Sequence, residues 1–312
     1  MNQLLSLHDA NTEEEVERIL ASGDPIDARD EFQKTPLMAA CRRGNTAVVR
    51  CLLKHGAKPN PPTHMETLQP FFMALERGYS DIVAALLEAG IDPNARIKNR
   101  LPLYYAVEKG YIDVLDRLIE NGADAQLVDD YCMTPLQLAC QKQLIDAVDR
   151  LLNAGANPNT HSVGLPPFII ACRDNRVDII DRLVLHGADY FQAEDNEGNG
   201  LFIACRNNNV DVVSRLLSLS LDIDSKNERG ETPLMIACSL SRFAMIQLLL
   251  EHGADINIRN KRNLCIKDIS SASVWSFIQG LSSISSHLIS FCRDLTADRF
   301  DLSDFIRSKE SP

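Results

Sequence analysis

No stretch of this chain stays apolar over the roughly 18 residues that a membrane-spanning helix needs. Its start, MNQLLSLHDANTEEEVERIL, has no basic segment followed by an apolar one. Neither membrane insertion nor classical secretion is therefore expected. Cations are also short: 32 Lys and Arg against 43 Asp and Glu leave a net charge of −11 and a pI near 5.1. That balance disfavours duplex nucleic acid and anionic membrane as partners, since both reward a positive face. There is no G-x-S-x-G, no phosphate-binding G-x-x-x-x-G-K and no dinucleotide fingerprint. The seven histidines include no H-x-x-x-H pair, and the nine cysteines include no C-x-x-C. No catalytic residue, cofactor, metal ligand or small-molecule substrate is assigned, and the chain is expected not to be an enzyme.

What the chain does have is repetition. The stretch TPLMAACRRGNTAVVRCLLKHGAKPN, Thr35 to Asn60, reads as one unit. Thr35 can cap a helix through its hydroxyl, and Pro36 supplies the fixed φ suited to the first helical position. Ala39 and Ala40 allow a neighbouring helix to come close, and Gly44 suits a left-handed helix exit. Val48, Val49, Leu52 and Leu53 recur at helical spacing in a second helix that stops at Gly56. The remainder, up to the next proline, is too short for a helix and suits a turn or hairpin.

Pro36, Pro70, Pro102, Pro135 and Pro167 follow one another at 34, 32, 33 and 32 residues, Gly200 stands 33 further on, and Pro233 another 33. A fixed period of this size marks stacked units, each burying its apolar face on the next. TPLMAAC at Thr35, TPLQLAC at Thr134 and TPLMIAC at Thr232, closed by LLEAGIDPN, LIENGADAQ, LLNAGANPN, LVLHGADYF and LLEHGADIN, closely resemble the ankyrin repeat. Tetratricopeptide repeats have a similar period, but their Trp and Leu-Gly signature is missing and the one tryptophan is Trp275. The resemblance implies an all-α repeat solenoid, a curved stack of helix-turn-helix units joined by hairpin-like finger loops. It also implies a non-enzymatic scaffold or adaptor that binds a protein through its concave face and fingers.

The expected organisation is a degenerate N-terminal capping repeat over 1–34, seven repeats over 35–264, a partial capping repeat over 265–280 and a helical tail over 281–312. In the first segment Leu4, Leu5 and Leu7 are candidates for one helix, and Thr12 caps a second that carries Val16, Ile19 and Leu20. The repeat that opens at Asn199-Gly200 lacks Thr-Pro and has Ser220 where glycine closes the others, so it is expected to be the softest joint. The tail carries Ile284, Leu288, Ile289, Cys292 and Leu295 at helical spacing. It either covers the open end of the stack or docks a second protein. The alternative function follows from the latter: an adaptor or host-directed bacterial effector whose tail recruits machinery such as a ubiquitin ligase.

Cys41, Cys140, Cys172, Cys205 and Cys238 share one repeat position, so they read as buried packing residues rather than disulfide or zinc partners. Reduced thiols place the expected compartment in the cytoplasm, with the nucleus and delivery into a host cell as alternatives. The family's frequent His after Thr-Pro-Leu, which ties neighbouring units by hydrogen bonds, is replaced by Met38, Phe72, Tyr104, Gln137, Ile169, Phe202 and Met235. More apolar contact between units is therefore expected.

Partner-binding candidates come from the last turn of each first helix, where six consecutive units carry a cation: Arg42 and Arg43, Arg77, Lys109, Lys142, Arg173 and Arg206. Arg29 and Phe32, in the first finger, join them. Such a row suits an extended acidic segment of another protein. The alternative is that each cation pairs with its neighbour Glu76, Glu108 or Asp174. A monomer is expected.

Overall fold

The computed structural model describes residues 6–61, 69–97, 99–128, 133–160, 164–191, 193–194 and 198–281. The chain forms two compact units, Met1–Tyr190 and Phe191–Pro312. Both have the all-α repeat architecture of a solenoid.

In the first unit, α1 (Glu13–Ala21) precedes five helix pairs: α2 (Pro36–Arg43) with α3 (Thr46–Lys54), α4 (Pro70–Arg77) with α5 (Ser80–Glu88), α6 (Pro102–Lys109) with α7 (Ile112–Glu120), α8 (Pro135–Gln141) with α9 (Ile145–Asn153), and α10 (Pro167–Arg173) with α11 (Val177–Leu185). The first helices pack in a row, α2 on α4, α6, α8 and α10 in turn, and α1 begins a second row through α3, α5, α7, α9 and α11. Each first helix starts at a proline, which has no N–H to leave orphaned there. Thr35 Oγ1 accepts from Met38 N at 3.3 Å and Thr134 Oγ1 from Gln137 N at 3.1 Å. Gln69, Leu101 and Pro166 provide no such side-chain bond, so those starts rest on the proline and on packing.

The two rows differ in burial, except that Ile82 to Leu87 of α5 are all buried. Pro36 to Cys41 of α2 are buried without a break, the helix packing on α4 and on its partner α3. In α3 only Val48, Val49, Cys51 and Leu52 are buried, one face of an amphipathic helix. Each buried leucine or valine side chain contributes about 1.5–3 kcal/mol. Met38 and Phe72, in the place of the family's histidine, are 0 and 2 % exposed, so contact between units there is apolar. Gln137 is an exception: its Nε2 donates to the Leu165 carbonyl of the next repeat at 3.0 Å.

Loops and outer faces add polar ties between repeats. Asn94 Oδ1 accepts from Asp124 N at 2.9 Å and Asn159 Oδ1 from Asp189 N at 2.7 Å, one repeat later. On the second helices, Arg150 pairs with Asp116 and Arg182 with Asp149, both at 2.7 Å.

The start of the chain departs from expectation. Leu7 is buried but lies in a turn over residues 7–9, not a helix, while Leu4 and Leu5 lie outside the described residues. The second helix of that segment is present as α1, and Thr12 caps it by accepting from Glu15 N at 3.2 Å.

In the second unit, β1 (Ala193–Glu194) pairs antiparallel with β2 (Gly198–Asn199) ahead of α12 (Gly200–Asn207) and α13 (Val210–Ser218). Then follow α14 (Pro233–Ser239), α15 (Phe243–Glu251), α16 (Ile266–Ile269) and α17 over residues 272–281. Here α12 packs on α14 and α14 on α16, while α13 packs on α15. Asn199 replaces the capping threonine by accepting from Leu201 N at 3.1 Å. Ser220 takes φ +63°, the left-handed exit that Gly56, Gly90 and Gly253 make without a Cβ. Residues 265–280, expected as a partial capping repeat, contain α16 and most of α17, and of the tail expected over 281–312 residues 282–312 lie outside the described residues. Among the described residues no helix is long and apolar enough to cross a membrane.

Candidate interaction surface

The last turn of every first helix ends on a left-handed residue: Gly44, Gly78, Gly110, Gln143, Asn175, Asn208 and Ser241, with φ between +55° and +78°. The residue just before it is therefore structurally equivalent from repeat to repeat. In order these are Arg43, Arg77, Lys109, Lys142, Asp174, Asn207 and Leu240. Four cations occupy the place in the first unit, and the fifth repeat replaces them with an acid.

These cations do not have one role. Arg43 is turned back on the chain's start, where its guanidinium donates to the carbonyl of His8 and, at 2.9 Å, to that of Ala10. Burial lowers its pKa from the usual arginine range. It is an anchor for the first segment. Arg42, one residue earlier, is exposed, as are Arg77, Lys109 and Lys142, and none of the four makes an ion pair among the described residues.

Arg173 behaves differently. Its Nε and Nη2 grip the Asp174 carboxylate at 2.7 and 3.0 Å, a two-pronged pair that raises the arginine pKa. Pairing with a neighbouring acid is thus realised at this repeat. At Lys109 it is not, because Glu108 is held by Arg100 at 2.7 Å. Arg100 also lies 5.3 Å from the Tyr104 ring centroid and 5.9 Å from that of Tyr105. Nothing local in the sequence announces this contact, since Arg100 stands eight residues away, in the finger before the helix. Its consequence is that Glu108 is engaged by Arg100 and Lys109 does not pair with it. Glu76 is exposed beside Arg77 with its charge unmatched by an ion pair among the described residues. Arg206 belongs to the second unit, where it lines a cavity of about 380 Å³ with Asn227, Arg229, Glu231, Ile236, Ser239 and Leu240.

The first finger is a closed turn. The Asp30 carboxylate accepts from Phe32 N at 2.9 Å and Lys34 N at 2.8 Å, and Gln33 takes φ +62° where the family has glycine. Arg29 Nη1 donates to the Gln33 carbonyl at 3.1 Å, as Arg259 Nη1 does to Asn263 O at 2.7 Å in the last finger. Arg29 is thus a brace within its own loop. Phe32 is 65 % exposed at the tip, with the Lys34 ammonium 5.3 Å from its ring centroid. The finger that begins with Pro61-Pro62 lies mostly outside the described residues.

The thiols of the shared repeat position are buried and shifted away from reactivity. Burial pushes Cys41 and Cys140 up to about 12 and Cys238 to about 11, and raises Cys172 and Cys205 as well. His55, His186 and His252 each set Nδ1 2.9 Å from the carbonyl four residues back, at the end of a second helix. Among the described residues no three His, Cys, Asp or Glu side chains gather as a metal set.

A family model described as "Ankyrin repeats (3 copies)" matches residues 6–97, 96–162 and 168–260. No curated protein matches the chain. Among solved structures, the human ASB11 ankyrin repeat domain is 26 % identical at a TM-score of 0.59, covering 67 % of this chain and 96 % of that one. The ankyrin repeat domain of Bcl-3, a member of the IkappaB protein family, is 20 % identical at 0.57 and covers 79 % and 98 %. EF0377, an ankyrin repeat protein, is 24 % identical at 0.54 and covers 58 % and 96 %. The last two likenesses concern the fold.

Proposed function

Since the chain belongs to the ankyrin repeat family, whose repeats are protein-interaction modules, we propose that it is a non-enzymatic adaptor that captures an acidic, extended segment of another protein. The site is the row Arg42, Arg77, Lys109 and Lys142, with Phe32, exposed at the first finger tip, as a further contact. The observation that carries this reading is that four successive repeats of an acidic molecule present exposed cations that make no ion pair among the described residues. Elsewhere the same molecule pairs its arginines, as at Arg100, Arg150, Arg173 and Arg182. Cations left open to solvent attract a carboxylate-bearing chain at long range and fix its direction on arrival.

The test is binding of a fluorescent glutamate-rich peptide to the full chain and to a variant carrying Arg42→Glu, Arg77→Glu, Lys109→Glu and Lys142→Glu. Binding should weaken by at least about tenfold in the variant, and in the wild type it should weaken as salt rises from about 50 to about 250 mM. Thermal unfolding should move little, because all four side chains are exposed. Equal binding by the two proteins would reject the row as the site.

A further inference from the structure

The row also restricts the backbone conformation of what it binds. Arg77, Lys109 and Lys142 each precede the left-handed residue that ends a first helix. Those helices pack directly, α4 on α6 and α6 on α8. Helices in contact lie about 8–10 Å apart, so equivalent positions on them step by about that distance. Arg42 on α2 stands one residue before the equivalent place, which Arg43 fills, so the cations in register are Arg77, Lys109 and Lys142.

A ligand must present carboxylates at the same step. One face of a β-strand repeats about every 6.6 Å and loses register within two repeats. An α-helix advances about 5.4 Å per turn and matches only at every second turn, at about 10.5 Å, just beyond the range. A polyproline II helix has three residues per turn at about 3.1 Å each, and its repeat of about 9.3 Å falls inside the range.

The surface around the row points the same way. A docked helix needs an apolar groove. Among the described residues of the first unit, the large apolar side chains that stand exposed are Phe32, Leu127 and Leu185, none of them on α2, α4, α6 or α8. Strand addition needs a sheet edge. Among its described residues this unit has only the isolated bridge Ile97–Arg100. A polyproline II chain needs neither, because it has no internal hydrogen bonds and keeps its backbone solvated.

We infer that the partner segment is a polyproline II stretch with a carboxylate at every third residue, one for each of the three successive repeats that carry Arg77, Lys109 and Lys142. The inference rests on the acidic-segment reading above and adds to it a conformation and a spacing.

Labelled peptides of about nine residues, the length of three polyproline II turns, decide it by fluorescence anisotropy on the full chain. One repeats Glu-Pro-Pro. Others carry the same number of glutamates at alternate positions or in one block, and a longer stapled α-helix carries them every seventh residue. The Glu-Pro-Pro peptide should bind about tenfold tighter than the rest, roughly what three solvent-screened ion pairs supply together. Lys109→Glu should erase most of that advantage. If all the acidic peptides bind alike, or the helix binds best, the inferred spacing and conformation are wrong while the acidic-segment reading stands. If no acidic peptide binds, both fall.

Discussion

Gln137 reaches from one repeat to the next: its Nε2 donates to the Leu165 carbonyl at 3.0 Å, while its Oε1 accepts from Thr134 N at 3.0 Å. One buried side chain thus caps its own helix and ties the following finger. At the same position Met38 offers only its sulfur, which accepts from Thr35 N at 3.3 Å, and Met235 is likewise buried. Gln137→Met should keep the packing but leave the Leu165 carbonyl without its donor and Thr134 N with at best a weak sulfur acceptor. A loss of about 1–2 kcal/mol is expected, read as a lower urea midpoint with unchanged slope. An unchanged midpoint would mean that water replaces both bonds.

Gly230 and Gly253 separate backbone strain from steric contact. Both have positive φ, +73° and +88°. A Cβ on Gly230 would lie 2.8 Å from the backbone nitrogen of Lys261, which itself donates to Arg229 O at 3.0 Å. At Gly253 nothing lies within 4 Å. Gly253→Ala should cost about 1 kcal/mol for the left-handed conformation alone, and Gly230→Ala clearly more, because two neighbouring fingers must move apart. Equal unfolding shifts would show that the fingers separate freely.

Ser220 holds φ +63° at a helix exit where the other repeats have glycine. Ser220→Gly removes the Cβ penalty at the cost of a more flexible unfolded chain. A net gain of about 0.5–1 kcal/mol is expected in thermal unfolding. A loss would place the serine hydroxyl in a bond worth more than the strain.

The buried thiols make stability fall in alkaline solution. A group whose pKa is raised in the folded state favours folding while it is neutral. That contribution is complete below the unfolded thiol value near 9.0 and fades as pH rises through the folded value, about 12 for Cys41 and Cys140. The urea midpoint should therefore decline from about pH 9 upward. Iodoacetamide at pH 8 should label the partly exposed Cys265 before the buried Cys41, Cys140, Cys172, Cys205 and Cys238. Early labelling of that buried set in the native protein would contradict the burial.

The repeat register was legible in the chain because nearly every unit writes its own punctuation. Except in the unit of Gly200 and Ser220, a proline starts the first helix, a glycine ends the second, and small residues fill the space between. These are local steric demands, which act the same way wherever the residue stands. The cysteines were legible for a related reason, since five occurrences at one period identify a packing position. The start of the chain was less so: Leu7 has the apolar character of a helix face, yet burial holds it in a turn.

Which cations remain open to a partner was a different kind of question. The sequence by itself determined where they stand, at the end of each first helix. Only the tertiary structure decided that Arg43 faces the carbonyls of His8 and Ala10, that Arg100 takes Glu108 and leaves Lys109 without that partner, and that Arg173 is held by Asp174. Two of these three partners lie in a different loop or an earlier segment. An arginine's long stem and forked donors let it choose among all acceptors within reach, and reach is set by how the helices stack.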